Sequence, residues 1–292
     1  MKYADDHVDP NAESMIATAL AKAADLITNA DALVIAAGAG IGVDSGLPDF
    51  RGNEGFWKAY PALAESGLRF TEVASPQTFQ NDSSLAWGFY GHRLALYRRT
   101  QPHAGFGILR KWAASKPLGA WVFTSNVDGQ FQKAGFSSDQ LHECHGSIHH
   151  LQCMNEACSG DVWSADAFVP EVDEAACRLL NALPQCPKCG GLARPNVLMF
   201  GDWGWLDTRN LPQRRREEQW LTSVIENRAN VAVIELGAGT AVPSVRHFSH
   251  RLSKVIGARI VRINPREFAV PSTLDLGLAM GSLEALRAVD GA

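Results

Sequence analysis

Ala36-Ala37-Gly38-Ala39-Gly40-Ile41-Gly42-Val43-Asp44-Ser45-Gly46-Leu47-Pro48-Asp49-Phe50-Arg51, residues 36–51, decides how this chain is read. The five apolar residues Ala32 to Ala36 predict a buried strand, and Gly38, Gly40 and Gly42 follow at once. Glycines at such a strand end let backbone N–H groups approach a pyrophosphate, and a following helix points its positive end at it. The Gly-x-Gly-x-Gly spacing alone decides little, because strand-to-helix turns also use glycine for tight packing. The residues after it carry more weight. A dinucleotide dehydrogenase continues into a helix, whereas here Ser45 to Gly52 interrupts and sets an acid (Asp49), an aromatic ring (Phe50) and a guanidinium (Arg51) beside the presumed phosphate loop.

The chain has 292 residues, 46% of them hydrophobic, which is enough for one large domain with a smaller insertion. A formal net charge of −4 gives no sign of a nucleic-acid or anionic-membrane surface. The basic cluster Arg214-Arg215-Arg216 is followed by Glu217 and Glu218, as at a solvated helix start. No stretch approaches the roughly 20 apolar residues of a membrane span. The first residues are polar and acidic, unlike a leader, so the expectation is a cytoplasmic enzyme without membrane or nucleic-acid partners.

Apolar residues at helical spacing (Met15, Ile16, Ala19, Leu20, Ala23, Leu26, Ile27) predict a helix over residues 12–29. Short apolar strands are expected at 120–124, 196–200, 231–236, 259–263 and 275–280, with helical patterns between several of them. That alternation predicts an α/β fold, a Rossmann-like parallel sheet covered by helices on both faces. Residues 53–105, with aromatics and short helical patterns, and 150–194, with paired cysteines, do not fit it. They read as a smaller helical and zinc-binding domain inserted into a sheet domain of residues 1–52, 106–149 and 195–292.

Four residues lie between Cys153 and Cys158, and two between Cys186 and Cys189. Two close thiol pairs, the second in a Cys-Pro-Lys-Cys-Gly-Gly turn, suit a tetrahedral zinc of four thiolates. With every position filled by sulfur the zinc is structural. Redox pairs are the alternative. Cys177 reads as a buried small residue in an amphipathic segment, and Cys144 as a packing residue. Thr124-Ser125-Asn126-Val127-Asp128-Gly129 follows the 120–124 strand, where polar residues at the carboxyl end of a parallel strand meet ligands or simply form an Asx-type turn. Among nine histidines, sequence spacing alone singles out none.

The run from Gly38 to Gly52 resembles the Gly-Ala-Gly-x-Ser…Ser-Gly-Ile-Pro-Asp-Phe-Arg-Gly signature of the sirtuins, NAD-dependent protein lysine deacylases, with Gly42 where that family has its first serine. The resemblance continues in order. The four-cysteine zinc module stands at the family's place. Ser125-Asn126-Val127-Asp128 is similar to Gln-Asn-Ile-Asp, with serine replacing glutamine, and His145-Gly146-Ser147 matches the catalytic-histidine motif. Arg194 to Asp202 resembles the stretch that pairs with substrate peptide, and Gly237-Ala238-Gly239 stands where sirtuins have Gly-Thr-Ser. Pro243-Ser244 departs from the family's downstream proline, and residues 102–106 depart from its Pro-Asn-x-x-His pattern.

The resemblance implies NAD contacts at Gly38, Ala39, Gly40, Asp49, Phe50, Arg51, Ser125, Asn126, Asp128, His145, Gly237, Ala238, Gly239, Asn264 and Leu283. It implies that Asn126 and His145 are catalytic, that Val197, Phe200 and Gly201 wall the lysine channel, and that acyl-lysine protein is the partner. Tyr90 and Arg93 share a helical face and fall where desuccinylase-type sirtuins hold the carboxylate of succinyl- or malonyl-lysine, a task suited to a planar guanidinium. In the implied reaction the acyl oxygen attacks the nicotinamide ribose, nicotinamide leaves, and His145 takes a proton from a ribose hydroxyl. That hydroxyl attacks the imidate carbon, water finishes the transfer, and the products are free lysine, nicotinamide and O-acyl-ADP-ribose. Two alternatives stand beside this reading: NAD hydrolysis or ADP-ribosyl transfer on the same fold, and a non-catalytic NAD or ADP-ribose sensor.

Overall fold

The computed structural model describes residues 10–48, 56–58, 60–158 and 160–292, so Asp49, Phe50 and Arg51 lie outside the described residues. Helix α1 spans Pro10–Thr28 and leads into strand β1, Ala32–Ala37, both close to their expected limits. The glycine run forms a 3-10 turn over Ala39–Ser45. Its end is Gly46, in the left-handed conformation at φ 82°.

Four short or medium helices follow: α2 (Pro61–Glu65), α3 (Phe70–Val73), α4 (Pro76–Asn81) and α5 (Ser83–Arg99). Next come α6 (Gly105–Ala114), β2 (Ala120–Thr124), α7 (Gln130–Lys133), β3 (Leu141–Glu143) and β4 (Gly146–Cys153). Strands β5 (Val162–Ser164), β6 (Val172–Asp173), β7 (Arg178–Leu179) and β8 (Ala193–Val197) complete the cysteine-rich region. The chain closes with α8 (Asn210–Glu226), β9 (Val231–Leu236), α9 (Ser244–Ile256), β10 (Arg259–Ile263), β11 (Leu276–Leu278) and α10 (Ser282–Asp290).

Six strands make one sheet in the order β11-β10-β9-β1-β2-β3, and every pairing in it is parallel. The chain winds outward from β1 in both directions, so the switch point lies between β1 and β9, where doubly wound sheets bind ligands at the strands' carboxyl ends. Side chains alternate across the sheet. Leu33, Ile35 and Ala37 of β1 pack with α1, α6 and α10, while Ala32, Val34 and Ala36 pack with α8 and α9. Glu235 and Arg262 are register partners on β9 and β10, and they form a buried ion pair at 2.5 Å, so two charged residues sit inside otherwise apolar strands.

A second core gathers Phe56, Leu63, Phe79, Trp87, Phe89 and Tyr90 with Leu151, Leu179 and Ala193. It rests on an antiparallel sheet of order β5-β4-β8. The strand expected at 196–200 is therefore shifted: β8 ends at Val197, and its partner is β4, which periodicity did not reveal. Cys177 is buried as expected, but in the β6–β7 turn with φ 51° rather than in an amphipathic segment. Arg214 is exposed and pairs with Glu218 at 3.0 Å, but the cluster is no solvated helix start: α8 begins at Asn210, and Glu217 is buried against His142 at 2.7 Å. Among the described residues no helix is long and apolar enough to cross a membrane.

Candidate active site

The turns after β1 and β9 are packed on each other so closely that two glycines are obligatory. A Cβ on Gly38 would lie 2.8 Å from the Gly237 carbonyl oxygen, and one on Gly237 would lie 2.4 Å from the Gly40 carbonyl carbon. Gly237 also has φ +57°, which disfavours any side chain. The Gly40 N–H donates to the Gly237 carbonyl at 3.1 Å. These glycines thus bring two loops together at the switch point.

Neighbouring side chains lock the same place. Asn126 Nδ2 donates to the Gly38 carbonyl at 3.1 Å, and its backbone N–H donates to Thr124 Oγ1 at 3.0 Å. Asn264 is wholly buried. It donates to the Ala238 carbonyl at 2.9 Å and accepts from the backbone of Arg266 and Glu267, both at 3.0 Å. Arg246 Nε and Nη2 donate to that same Ala238 carbonyl at 3.2 and 3.0 Å. The Leu283 N–H donates to Asp44 at 2.7 Å, tying α10 to the first turn.

A cavity of about 500 Å³ opens beside these loops. Gly38, Ala39, Ser125, Asn126, Asp128, His145, Gly237, Ala238 and Gly239 line it, together with Tyr90, Arg93, Val197 and Phe200. Most of the residues singled out from the sequence therefore share one space. Gly40, Gly201, Asn264 and Leu283 are not in its lining.

His145 sits between β3 and β4, with Nε2 3.0 Å from Ser244 Oγ. Burial pushes its pKa below the ordinary 6.5 and nearby His142 adds to this, while a backbone hydrogen bond to Ser125 works the other way. The ring is therefore neutral at neutral pH and has a lone pair able to accept a proton. Asp128 is raised to about 6, chiefly by burial, although its Oδ1 accepts the Gln130 N–H at 2.9 Å. Cys144 is pushed up to about 12 by burial and by Glu217, so it offers no thiolate.

At another part of the cavity wall, α5 presents Tyr90, Arg93 and Tyr97 on one face. Arg93 donates from Nε and Nη2 to the Tyr97 hydroxyl at 3.0 and 2.9 Å. Its guanidinium carbon lies 5.1, 5.6 and 5.4 Å from the ring centres of Phe89, Tyr90 and Tyr97. Burial raises Tyr90 to about 12 and raises Tyr97 as well, so both hydroxyls stay protonated beside a permanent cation. Tyr97 escaped the sequence reading, although its spacing four residues beyond Arg93 was a usable signal.

The segment after β8 is held from three sides. The N–H groups of Leu198, Met199 and Phe200 donate to the His145 carbonyl, Asp202 Oδ2 and the Ala74 carbonyl at 2.9, 3.2 and 3.0 Å. Asp202 in turn forms a buried ion pair with Arg194 at 2.8 Å. Phe200 meets the Phe70 ring edge-on at 5.6 Å, and Trp203 stands fully in solvent nearby in sequence.

The four cysteines of the two pairs converge. Cys153 and Cys189 sulfurs are 3.5 Å apart, those of Cys158 and Cys186 are 3.8 Å apart, and all four lie within 4.8 Å of one another. A tetrahedron of thiolates about 2.3 Å from zinc has edges of about 3.8 Å, so the cluster fits that ion. No other group of three or more His, Cys, Asp or Glu side chains among the described residues is arranged to hold a metal.

A doubly wound sheet, a cleft at its switch point and a four-thiolate cluster beside it define a nucleotide-binding enzyme architecture with an inserted metal knuckle. The chain belongs to the Sir2 family, whose model matches residues 38–218. NAD-dependent protein deacylase 2 of Pyrobaculum aerophilum is 32% identical over 254 residues, covering 87% of each chain. NAD-dependent protein deacylase 1 of Archaeoglobus fulgidus is 32% identical over 250 residues, 84% of this chain and 86% of that one. A crystal structure of a Sir2 homolog–NAD complex superposes with a TM-score of 0.70 at 26% identity, covering 92% of both chains.

Proposed function

We propose that this protein is an NAD-dependent protein lysine deacylase that takes lysines carrying acetyl and, by preference, short anionic acyl groups such as succinyl or malonyl. The observation that carries this is the shared lining of one cavity: the two glycine loops, Asn126 and His145 bound the same space as Arg93 and Tyr90. The names of the relatives, all NAD-dependent protein deacylases, support the reaction class. Residues 53–105 and 150–194 form the smaller domain in this reading, and most of the aromatic core around Trp87 comes from them, joined by Leu47, Val127, Ile148, Val197 and Met199.

Bound NAD supplies an electrophilic ribose carbon and nicotinamide as leaving group. The chain's part is to position, to exclude water and to move one proton. Gly38, Ala39, Gly40 and the Gly237-Ala238-Gly239 turn offer backbone to the dinucleotide. Asn264, bonded to the Ala238 carbonyl, sets the shape of that turn, and Leu283 borders the adenine end. Asp49, Phe50, Arg51, Ser125, Asn126 and Asp128 attend the nicotinamide and ribose end. Neutral His145 accepts the proton of a ribose hydroxyl. Val197, Phe200 and Gly201 wall the lysine channel, and exposed Trp203 offers the flanking peptide an apolar contact. The Arg93 guanidinium, with the Tyr90 hydroxyl, takes the acyl carboxylate. Zinc on Cys153, Cys158, Cys186 and Cys189 braces the knuckle and has no part in the chemistry.

Matched acetyl- and succinyl-lysine peptides, followed by peptide mass and nicotinamide release, test the assignment. His145→Ala should lower turnover about 10²–10⁴-fold on both peptides. Arg93→Met should lower kcat/KM for the succinyl peptide by about tenfold or more while sparing the acetyl one. Acetyl removal that is faster than succinyl removal and indifferent to Arg93 would sink the anionic-acyl assignment. Nicotinamide release with every peptide untouched would move the protein to NAD hydrolysis or ADP-ribosyl transfer.

A further inference from the structure

Ser244 enters the site from 99 residues further along the chain, and its Oγ lies 3.0 Å from His145 Nε2. It is the first residue of α9, and its neighbour Val245 lines the cavity. The start of that helix is firmly seated. Phe248 stacks flat on Phe123 of β2, with ring centres 3.9 Å apart and planes 6° apart. Arg246 clamps the Ala238 carbonyl, and the His247 N–H donates to the Pro243 carbonyl at 2.8 Å. The hydroxyl is therefore presented to the imidazole by an element that cannot easily drift from it.

A neutral imidazole has one N–H and one lone pair, and its partners decide which nitrogen holds which. The His145 ring also bonds the Ser125 backbone in a way that favours a ring N–H. With Nε2 facing Ser244, Nδ1 is the nitrogen left for Ser125. We propose that Ser244 is a positioning residue for His145: its hydroxyl donates to the lone pair on Nε2, reinforces the tautomer that the Ser125 contact favours, and holds the base ready beside the cleft.

Two consequences follow physically. A donor to the lone pair stabilises the neutral ring, so the serine keeps the base unprotonated further into acid. It also holds a nitrogen that the ribose hydroxyl must reach, and Ser244 yields by turning its O–H at the loss of one hydrogen bond. The charged and titratable groups on the neighbouring elements are His142 and Glu143 of β3, Asp128 after β2, Glu217 of α8, and Arg246 and His247 of α9. The test alters none of them. The kinetic consequence rests on the deacylase reading, whereas the tautomer does not.

Protein labelled with ¹⁵N-histidine, without NAD, reports the tautomer directly, and His145→Ala assigns the signal. Wild type and Ser244→Thr should show a single neutral tautomer with an unprotonated Nε2. Ser244→Ala, in which alanine suits a helix start, should keep the tautomer that Ser125 favours but show a titration midpoint moved up toward 6.5. In deacylation the acid limb of kcat/KM should move the same way. At pH 8 kcat should fall about fivefold, the worth of one hydrogen bond, with threonine restoring it and the peptide KM unchanged. An alanine variant with the wild-type titration midpoint and pH profile would overturn the proposal. So would a loss of activity that tracks melting temperature and that threonine does not restore. A midpoint that shifts in Ser244→Ala and not in Ser244→Thr, in a protein that removes no acyl group, would uphold the serine's role and overturn the deacylase reading.

Discussion

Arg194 and Asp202 bracket the loop that carries Val197, Met199 and Phe200, and both side chains are almost completely buried. The Asp202 carboxylate accepts the Met199 and Gly204 N–H groups at 3.2 and 3.1 Å and balances Arg194 at the same time. Asp202→Ala removes the counter-charge and leaves a buried guanidinium without its carboxylate, which costs about 3–5 kcal/mol. The expected result is a fall in melting temperature of roughly 10 °C. A scanning-calorimetry shift within a degree or two of wild type would show that the pair contributes little. At this scale Tyr90 and Arg93 were visible because they fall where desuccinylase-type sirtuins carry Tyr-x-x-Arg; their shared helical face alone would not have singled them out. Ser244 was not, because nothing local to it points to His145.

Among the elements, the knuckle between β4 and β8 depends most on a single interaction. Cys153 ends β4, while Cys186 and Cys189 flank the turn that returns to β8. Without an ion, four sulfurs this close gain nothing from their proximity. Metal binding there is folding free energy for the segment. The protein as purified should contain zinc, and a strong chelator or Cys186→Ser should lower the melting temperature by several degrees or more. Metal analysis alongside thermal melts checks this; a zinc-free preparation with unchanged melting would contradict it. The two apolar layers on the parallel sheet share no residue with the aromatic core next to the knuckle. Chelation should therefore leave most helical circular dichroism in place.

Protons couple the whole molecule to its surroundings through buried histidines. Burial lowers the pKa of His92, His103, His145, His149, His150 and His250 from 6.5, that of His150 to about 4. In each case the unfolded chain binds the proton more readily, so stability falls as pH drops from 6.5 toward the folded values. Asp128 acts in the opposite sense, because its folded pKa of about 6 exceeds the ordinary 3.8 and favours the folded state as pH drops through that window. Six groups against one predict a melting temperature that declines steadily from pH 7 to pH 5. A flat or rising profile in that range would show that those histidines are more hydrated than their burial implies. Activity should fall in the same direction below 6.5, since protonated His145 no longer accepts a proton.

The sequence by itself determined five of the sheet's six strands, and missed only the short edge strand β3. Strands buried on both faces are continuous apolar runs, and β2, β9 and β10 fall at their expected residues because hydrophobic burial acts on each segment independently. It also determined the thiolate cluster, since close pairs in tight turns leave few other uses for four cysteines. Only the tertiary structure decided how the glycine turn behaves: a seven-residue 3-10 turn pressed against Gly237, a contact between residues some 200 positions apart in sequence. The same holds for β8. Its residues read as a free strand beyond Val197, but pairing with β4 ends it there and commits the next N–H groups to His145, Asp202 and Ala74. Tyr97 beneath Arg93 and Ser244 beside His145 belong to this class as well. Local pattern records what a segment buries, but partners brought together by chain crossing are chosen only when the layers pack.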